Sequence, residues 1–375
     1  MKLVVSSTAL GAATTMLAKV INTKNALPIL GDILFEVKGK ELTLLASDSE
    51  TTLRTTIEIE ESDGDGRFCV SANKLKEALA EISEQPITLT ATTETTMMLT
   101  VEHQSGEFHF PIENADEYPK FEVLSCEAPL VMDGNLLADA IKRSQFAMAN
   151  DELRPIMCSI FFRLTHGYVD IVASNGSVLS KSQIHINCID AEDNLSMIIP
   201  RKAVSILNSM PLTIGDATII TSERNADITC CGYTLGFRQI EGKYPNYNSV
   251  IPEDQPLTAK ISRAWLVSAI RKVAPFANDS SNMIVMDFTK NKLRVSGDDF
   301  DLSMGATDEL NIEYDKEPIT IGVKASQLLK ALAQLPGQEL YWNMTDPSHA
   351  ITFEPCEQPD DVEITMLTMP MLVND

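Results

Sequence analysis

Residues 69–82 read CVSANKLKEALAEI, a short apolar strand that runs into an amphipathic helix, and this outline occurs three times in the chain. It returns as IIPRKAVSILNSM at 198–210 and as IGVKASQLLKALAQL at 321–335. Recurrence of one supersecondary unit at a regular spacing is typical of a fold built from tandem repeats. The sequence therefore predicts three similar structural repeats, called rows below.

Each row also opens on a shared phrase, a strand followed by a helix with apolar residues three or four apart. These openings are MKLVVSSTALGAATTMLA (1–18), PLVMDGNLLADAIKRSQFAMAN (129–150) and PLTAKISRAWLVSAIRKVAPFAN (256–278). A Ser or Asp stands where the helix N-cap is expected, at Ser7, Asp133 and Ser262. Alternating strands follow, and the first two rows close on EYPKF (117–121) and KYPNY (243–247).

Each row thus contains two strand-helix-strands units, and six such units make up the chain. Helices beside alternating antiparallel strands predict an α+β fold with sheet on one side and helices on the other. The period is about 125 residues. We expect three domains, at residues 1–125, 126–253 and 254–375.

Composition limits the function classes. The chain has 375 residues, 44% of them hydrophobic, and a formal net charge of -23. Evenly spread negative charge would argue against nucleic acid as a partner, because acidic surfaces repel phosphate. The seven cysteines form no C-x-x-C pair, and their odd number favours a reducing cytoplasm over a disulfide scaffold.

The N-terminus has the outline of a secretory signal, with a lysine followed by a mostly apolar run. Serines and threonines interrupt this run, and its frame recurs inside the chain, so we interpret it as part of the fold. No apolar run reaches the ~18 residues of a membrane span. The sequence indicates a soluble protein.

Motifs for catalysis are sparse. The five histidines are scattered, and the sequence contains no metal-binding, Walker or dinucleotide motif. DGDG at 63–66 lacks the other ligands of a calcium loop and predicts a hairpin turn. Asp48, Asp298 and Asp299 at strand ends could suggest a metal-dependent hydrolase, but Asn175 occupies the matching position in row two and favours an Asx turn. We expect no enzyme activity, no cofactor and no metal.

The basic residues are more informative, because many of the 30 lysines and arginines recur at matching helix positions. Cations near a helix C-terminus suit the helix dipole, which explains those of the first helices. Those at the starts of the second helices, such as Lys74 and Arg201, are disfavoured by the dipole. The alternative explanation for these cations is a shared anionic partner on the helix side of the sheets. Such a partner would be a nucleic acid, contacted at its phosphates and not at its bases.

Several phrases resemble the bacterial sliding clamp family, the β subunit of the replicative DNA polymerase. They are NALPILGDILFEV (25–37), IIPRK (198–202), EGKYPNYNSVIP (241–252) and MPM (369–371). The resemblance covers essentially the whole chain in order. It implies a DNA polymerase processivity factor, a cytoplasmic head-to-tail homodimer closed into a ring, with helices lining a hole around duplex DNA and sheets outside. It also implies partners: the polymerase catalytic subunit, the clamp loader, and repair proteins that dock through a short hydrophobic peptide.

Carried over position by position, the resemblance implies three sets of site residues. The DNA-facing set is Lys24, Lys74, Lys142, Arg143, Arg201, Lys202, Arg271, Lys272 and Lys324. The peptide groove comprises Met157, Ser174, Gly176, Leu179, Pro245, Val250, Lys324, Leu367, Met369, Pro370 and Met371. The dimer interface joins Lys74 and an edge strand bearing Phe108 and Phe110 to Phe276, Asp299 and Asp301 of the other chain.

The sequence departs from the family pattern at four positions. Asn73 stands where the family often has Arg, Ser177 and Val178 replace His-Arg, and Ser249 replaces another Arg. We therefore expect the apolar contacts of the groove to persist and its polar contacts to differ. The alternative function is an acidic, repeat-built scaffold that binds only proteins; the recurrence of cations on the helices favours the clamp.

Overall fold

The computed structural model describes residues 1–22, 25, 27–92, 97–121, 123–126, 128–165, 167–186 and 195–373. Within these ranges the chain forms six α-helices and 25 β-strands. The helices are α1 (Ser7–Leu17), α2 (Ala72–Ala80), α3 (Gly134–Gln145), α4 (Arg201–Leu207), α5 (Arg263–Val273) and α6 (Ala325–Leu332).

Each helix follows a strand, in the predicted order. Row one contains β1 (Lys2–Ser6), β2 (Asp32–Lys38), β3 (Glu41–Ser47), β4 (Thr51–Glu58), β5 (Glu61–Ser62), β6 (Gly66–Ser71), β7 (Pro86–Thr92), β8 (Met98–His103) and β9 (Gly106–Glu113). Row two contains β10 (Leu130–Asp133), β11 (Ser159–Thr165), β12 (Tyr168–Ser174), β13 (Val178–His185), β14 (Ser196–Pro200), β15 (Asp216–Thr221), β16 (Asn225–Cys230) and β17 (Tyr233–Arg238). Row three contains β18 (Leu257–Ser262), β19 (Met283–Thr289), β20 (Lys292–Asp299), β21 (Met304–Asn311), β22 (Ile319–Lys324), β23 (Glu339–Met344), β24 (Ile351–Pro355) and β25 (Val362–Thr368).

The rows combine into two compact units. The first contains residues 1–138 and 201–239, and the second contains residues 139–200 and 240–375. The middle row is therefore shared, with one part of it in each unit. The α+β prediction of repeated strand-helix-strands units is confirmed.

In the first unit, 13 strands form one sheet in the order β10-β15-β16-β17-β4-β3-β2-β6-β9-β8-β7-β1-β5. Rows one and two join where β4 pairs antiparallel with β17, with Leu53 opposite Leu235. Helices α1 and α2 pack together, and α1 also contacts β3 and β4. The buried side of this sheet includes Phe35 and Phe68, whose rings stack at a centroid distance of 4.9 Å.

In the second unit, eight strands form a sheet in the order β14-β11-β12-β13-β25-β24-β23-β18. Rows two and three join where β13 pairs with β25, with Leu179 opposite Leu367. A separate four-stranded sheet has the order β21-β20-β19-β22, and α5 packs on β20, β21 and α6. Trp342 is fully buried, and its ring stacks on those of Phe288 and Phe353 at centroid distances of 6.2 and 5.3 Å.

Some local predictions were wrong by one residue. The N-cap of α1 is Ser6, whose Oγ accepts a hydrogen bond from Ala9 N at 3.3 Å, and Ser7 is the first residue of the helix. Ser7 Oγ instead donates to Ser83 O at 3.0 Å. Two adjacent serines give no basis in sequence for choosing between them. The DGDG segment was also misread, because it connects β5 to β6, which do not pair.

The Asx turns predicted at strand ends are present. Asp48 Oδ1 accepts from Glu50 N and Thr51 N, and Asn175 Oδ1 accepts from Ser177 N and Val178 N in the same way. In row three the equivalent residue is Asp299 and not Asp298, because β20 continues through Asp299.

No helix in the described part of the chain is long and apolar enough to span a membrane.

The half-buried carboxylate of Asp32 provides a test of the fold of the first unit. Burial, together with the nearby Glu113 carboxylate, raises the pKa of Asp32 to about 6. The unfolded chain has the lower pKa, so the ionised carboxylate destabilises the fold above the folded pKa, and this penalty disappears as the pH falls toward the unfolded pKa. We expect Asp32→Asn to raise the melting temperature at pH 8 and to have little effect near pH 4. An equal effect at both pH values, measured by circular dichroism, would contradict the assignment.

Candidate nucleic-acid, interface and peptide sites

Five of the predicted DNA-facing cations are exposed on helices. Lys74 lies in α2, Lys142 in α3, Arg201 at the start of α4, and Arg271 and Lys272 in the last turn of α5. Lys74 Nζ is 3.1 Å from Glu77 Oε2, and Lys272 Nζ is 2.8 Å from Asp308 Oδ2. Exposed ion pairs of this kind are weak, so a phosphate group can compete for both lysines.

Arg143 is a correction to the predicted DNA-facing set. Its side chain is buried, with 8% exposure, and Nη1 donates to Ser182 Oγ at 3.0 Å. Burial lowers the pKa of the guanidinium, and the Asp139 carboxylate opposes this shift. Arg143 therefore points into the second unit toward β13 and cannot face DNA. The sequence pairs it with Lys142, but adjacent helix residues point about 100° apart, and here only Lys142 is exposed.

Lys202 is the second correction. Its Nζ donates to Val20 O and Asp48 Oδ2, and to Asn22 Oδ1 at 2.8 Å. These acceptors lie just after α1 and β3, and Asp48 is only 6% exposed in its side chain. Lys202 thus joins α4 of row two to two loops of row one. Its three acceptors leave it poorly placed to bind phosphate.

Two further predicted cations have different outcomes. Lys24 lies outside the described residues. Lys324 is half-buried at the N-cap of α6 and lines a cavity of about 510 Å³ with Asn175, Ser177 and Val178. The structure thus places Lys324 beside the predicted peptide groove.

The predicted groove residues come together in the second unit. Leu179 and Leu367 are buried opposite each other in the β13–β25 ladder and belong to one apolar cluster with Val172, Tyr244 and Tyr247. Tyr247 Oη donates to Asp170 Oδ2 at 2.7 Å, which holds the ring in place. Leu179 and Leu367 are therefore core residues of the second unit and not open surface residues.

The remaining groove residues are more open. Val250 is 49% exposed and Met369 is 40% exposed, while Met157, Ser174, Pro370 and Met371 are half-buried and Gly176 and Pro245 are exposed. Two backbone bonds hold the tail: Met369 N donates to Ser177 O at 2.7 Å, and Met371 N donates to Gly322 O at 2.8 Å. The methionines are thus anchored by the backbone while their flexible side chains stay accessible, which suits a surface that binds varied apolar peptides.

The edge strand predicted for the interface is β9. It pairs with β8 along residues 106–111, but with β6 only at Glu113 and Ile112. Residues 106–111 therefore have one side without a strand neighbour among the described residues. Phe108 is half-buried and Phe110 is 8% exposed, and their ring centroids are 6.4 Å apart.

The opposite end of the predicted interface is the tip of the β20–β21 hairpin and the adjoining turn. Phe276 is 38% exposed, Phe300 90%, Leu302 62% and Met304 42%. The sequence reading missed Phe300, Leu302 and Met304. Large apolar residues in a turn, where polar residues are usual, were the signal that could have identified them.

Asp299 is a correction within this interface set. It is 5% exposed, and its Oδ1 accepts from Asp301 N at 2.9 Å and from Leu302 N at 3.0 Å. The carboxylate thus forms the hairpin turn and is not free to pair with Lys74. Asp301 is exposed.

Within the described residues, no group of three or more His, Cys, Asp or Glu side chains could hold a metal ion.

Comparison with known proteins identifies the family. Models of the DNA polymerase III beta subunit match the chain in three consecutive segments, the N-terminal domain at 1–122, the central domain at 131–246 and the C-terminal domain at 248–372. The beta sliding clamp of Chlamydia muridarum is 21% identical over 375 residues, covering 100% of both chains. That of Haemophilus influenzae is 22% identical over 355 residues, covering 94% of each.

A solved structure has the same fold. The sliding clamp of Pseudomonas aeruginosa bound to griselimycin superposes with a TM-score of 0.93, at 22% identity and with 100% of each chain covered. The three family matches together span nearly the whole sequence. The chain therefore belongs to the DNA polymerase III beta subunit family, the beta sliding clamps, and is a non-catalytic processivity factor of DNA polymerase.

Proposed function

We propose that two copies of this chain close head to tail into a ring that slides on duplex DNA and tethers the replicative polymerase to it. The observation that carries this proposal is the succession of three clamp-domain matches along the chain. The family encircles DNA, forms dimers and binds polymerase and clamp loader. The matches do not favour the protein-only scaffold. In primer extension with the polymerase and loader, adding this chain should lengthen the products of a single binding event.

The domains of the ring are residues 1–125, 126–253 and 254–375, and the protein acts in the cytoplasm. The six described cysteines are all free, which supports a reducing compartment.

The internal repeats support head-to-tail closure. Strand β4 ends the first strand-helix-strands unit of row one, and it pairs with β17, the last strand of row two. Strand β13 pairs with β25, the last strand of row three, in the same way. In rows one and two, the last strand of the first strand-helix-strands unit thus pairs with the last strand of the next row. The equivalent strand of row three is β21, which should therefore pair with the last strand of a row in another copy. Within the described residues β21 pairs only with β20, so its other edge remains for β9 of a second copy.

The repeat also predicts the register of this pairing. Leu53 lies opposite Leu235 in the first unit. Met304 follows Asp299 at the same spacing as Leu53 follows Asp48, so the two are equivalent. Phe108 and Leu235 are likewise equivalent, because each lies two residues after the first residue of its strand, Gly106 in β9 and Tyr233 in β17. We therefore propose that Phe108 of one chain lies opposite Met304 of the other, which buries both side chains and closes two free edges.

Phe300→Asp should separate the dimer. The side chain is 90% exposed in a single chain, so the substitution leaves the fold intact while placing a charge in the proposed interface. Phe108→Asp should act in the same way. Sedimentation should show monomers with unchanged circular dichroism. Leu153→Asp, at an equally exposed apolar residue, is the matched control and should stay dimeric; a dimeric Phe300→Asp variant would refute the interface.

The register has its own test. Cysteines directly opposite each other on antiparallel strands lie within disulfide reach, at about 4.5–5.5 Å between Cα atoms. Phe108→Cys with Met304→Cys should form an interchain crosslink under mild oxidation, visible on a non-reducing gel. Glu107→Cys with Met304→Cys should not, because adjacent strand residues point to opposite faces. Equal crosslinking of both pairs would rule out the register.

The exposed cations should supply diffuse phosphate attraction. We expect Lys142→Glu with Arg271→Glu to weaken association with DNA of any sequence and to flatten the salt dependence by about 1 in slope for each lost contact. Lys202→Met should instead lower the melting temperature, because it removes the link between α4 and row one. A sequence-selective loss of DNA association would contradict this division of roles.

We propose that the groove around Leu179, Leu367 and Met369 takes a short hydrophobic peptide from the polymerase, the loader and repair proteins. The related Pseudomonas clamp is bound to griselimycin in its solved structure. The structure places Leu367 and Thr368 in the buried β25 ladder, so a clean truncation starts at Met369.

Deleting residues 369–375 should abolish peptide binding and polymerase stimulation while the dimer stays intact. The deletion removes the exposed Met369, the half-buried Met371 and the two backbone bonds to Ser177 and Gly322, but no residue of β25. Fluorescence anisotropy with a labelled short hydrophobic peptide from the polymerase measures the loss. Unchanged affinity in a folded dimer would show that the groove lies elsewhere.

A further inference from the structure

A loop of the first unit repeats the architecture of the peptide groove. Arg238 N donates to Glu50 O at 2.8 Å, as Met369 N donates to Ser177 O at 2.7 Å in the second unit. Asp48 shapes the first loop as Asn175 shapes the second. The position after β17 in row two therefore corresponds to the methionine tail after β25.

The equivalent place in the first unit is an open cavity of about 660 Å³, within the usual range of ligand sites. Gly236 lines it at the position where Leu367 fills the second unit. A Cβ on Gly236 would lie 2.8 Å from Asp227 Oδ1, so the site holds no side chain larger than hydrogen without movement of that carboxylate. Phe121 and Val123 line one side, and Val123 is 52% exposed.

Cations surround this cavity. Arg54, Lys120 and Arg224 line it and are exposed, and none of the three forms an ion pair with a described carboxylate. Arg238 is a fourth. Such clustering is unexpected by chance in a chain with a net charge of -23, because acidic residues outnumber basic ones.

Three carboxylates also line the cavity, and two of them already have partners of their own. Glu36 Oε1 lies 3.1 Å from Lys38 Nζ, and Asp227 Oδ2 accepts from Leu124 N at 2.8 Å. Asp227 is 6% exposed, and burial raises its pKa. Glu50 is the third. The lining also contains the apolar residues Leu45, Phe121 and Val123, which favours a ligand that combines negative charges with apolar side chains.

We propose that this cavity is a second docking site, which binds an acidic peptide segment with apolar side chains from a partner protein. The proposal rests on the peptide-docking role proposed above, since it assigns that role to the preceding repeat. Apolar side chains of the peptide occupy the space beside Phe121 and Gly236, and its carboxylates pair with Arg54 and Arg224. Arginine favours such pairs because its planar fork binds a carboxylate through two hydrogen bonds.

The test uses a fluorescein-labelled synthetic peptide in which leucines and a phenylalanine alternate with aspartates, titrated with the full-length dimer. Anisotropy should show saturable binding, weakened about tenfold or more by Arg54→Glu with Arg224→Glu. Lys290→Glu with Arg294→Glu, the same charge change at exposed residues of the second unit, should leave it unchanged. The peptide with lysines in place of aspartates should not bind.

The proposal would be overturned if the acidic peptide did not bind, if the lysine peptide bound equally well, or if the Arg54 and Arg224 variant bound the acidic peptide with unchanged affinity. Displacement of the peptide by oligothymidylate would also overturn it, because it would indicate a nucleic-acid site. Loss of binding when residues 369–375 are deleted would place the peptide in the first groove instead. Failure of the first groove itself is seen separately, as an unchanged affinity of that truncated dimer for the polymerase peptide.

Discussion

Antiparallel pairing between strands of successive rows is the constraint on which the rest of the structure depends. The β4–β17 and β13–β25 ladders join rows that would otherwise end in open edges. An exposed edge carries unpaired N–H and C=O groups and readily pairs with another chain. In the proposed ring, the same rule applied once more pairs β21 of one copy with β9 of the other. The proposed closure would thus use the same type of strand pairing that joins the rows within each chain.

Charge serves two purposes in this chain. A sliding protein needs weak attraction to phosphate wherever it stands, and little affinity for bases. The exposed cations of α2, α3, α4 and α5 can provide this, whereas other cations stabilise the fold: Arg143 is buried against β13, and Lys202 links α4 to row one. A count of lysines and arginines on helices therefore overestimates the DNA-binding set.

Much of the fold could be predicted from the sequence, because the helical and strand periodicities recur three times and each copy supports the others. The Asx turns at Asp48 and Asn175 were predictable for the same reason. The choice between two adjacent residues of similar chemistry could not be predicted. Ser6 and Ser7, or Asp298 and Asp299, have the same local chemistry, and only the packing of the strand or helix decides between them. Burial of Arg143 depends on a contact with Ser182, 39 positions away in sequence, which no local pattern encodes.

Encirclement is the central claim, and a topological experiment tests it most directly. The protein is assembled by its loader on a nicked circular duplex, separated from free protein by gel filtration, and the circle is then cut once by a restriction enzyme. If the protein holds DNA by enclosing it, it stays with the circle and is lost from the linear product, because it slides off the ends. Equal retention on circular and linear DNA would contradict the account.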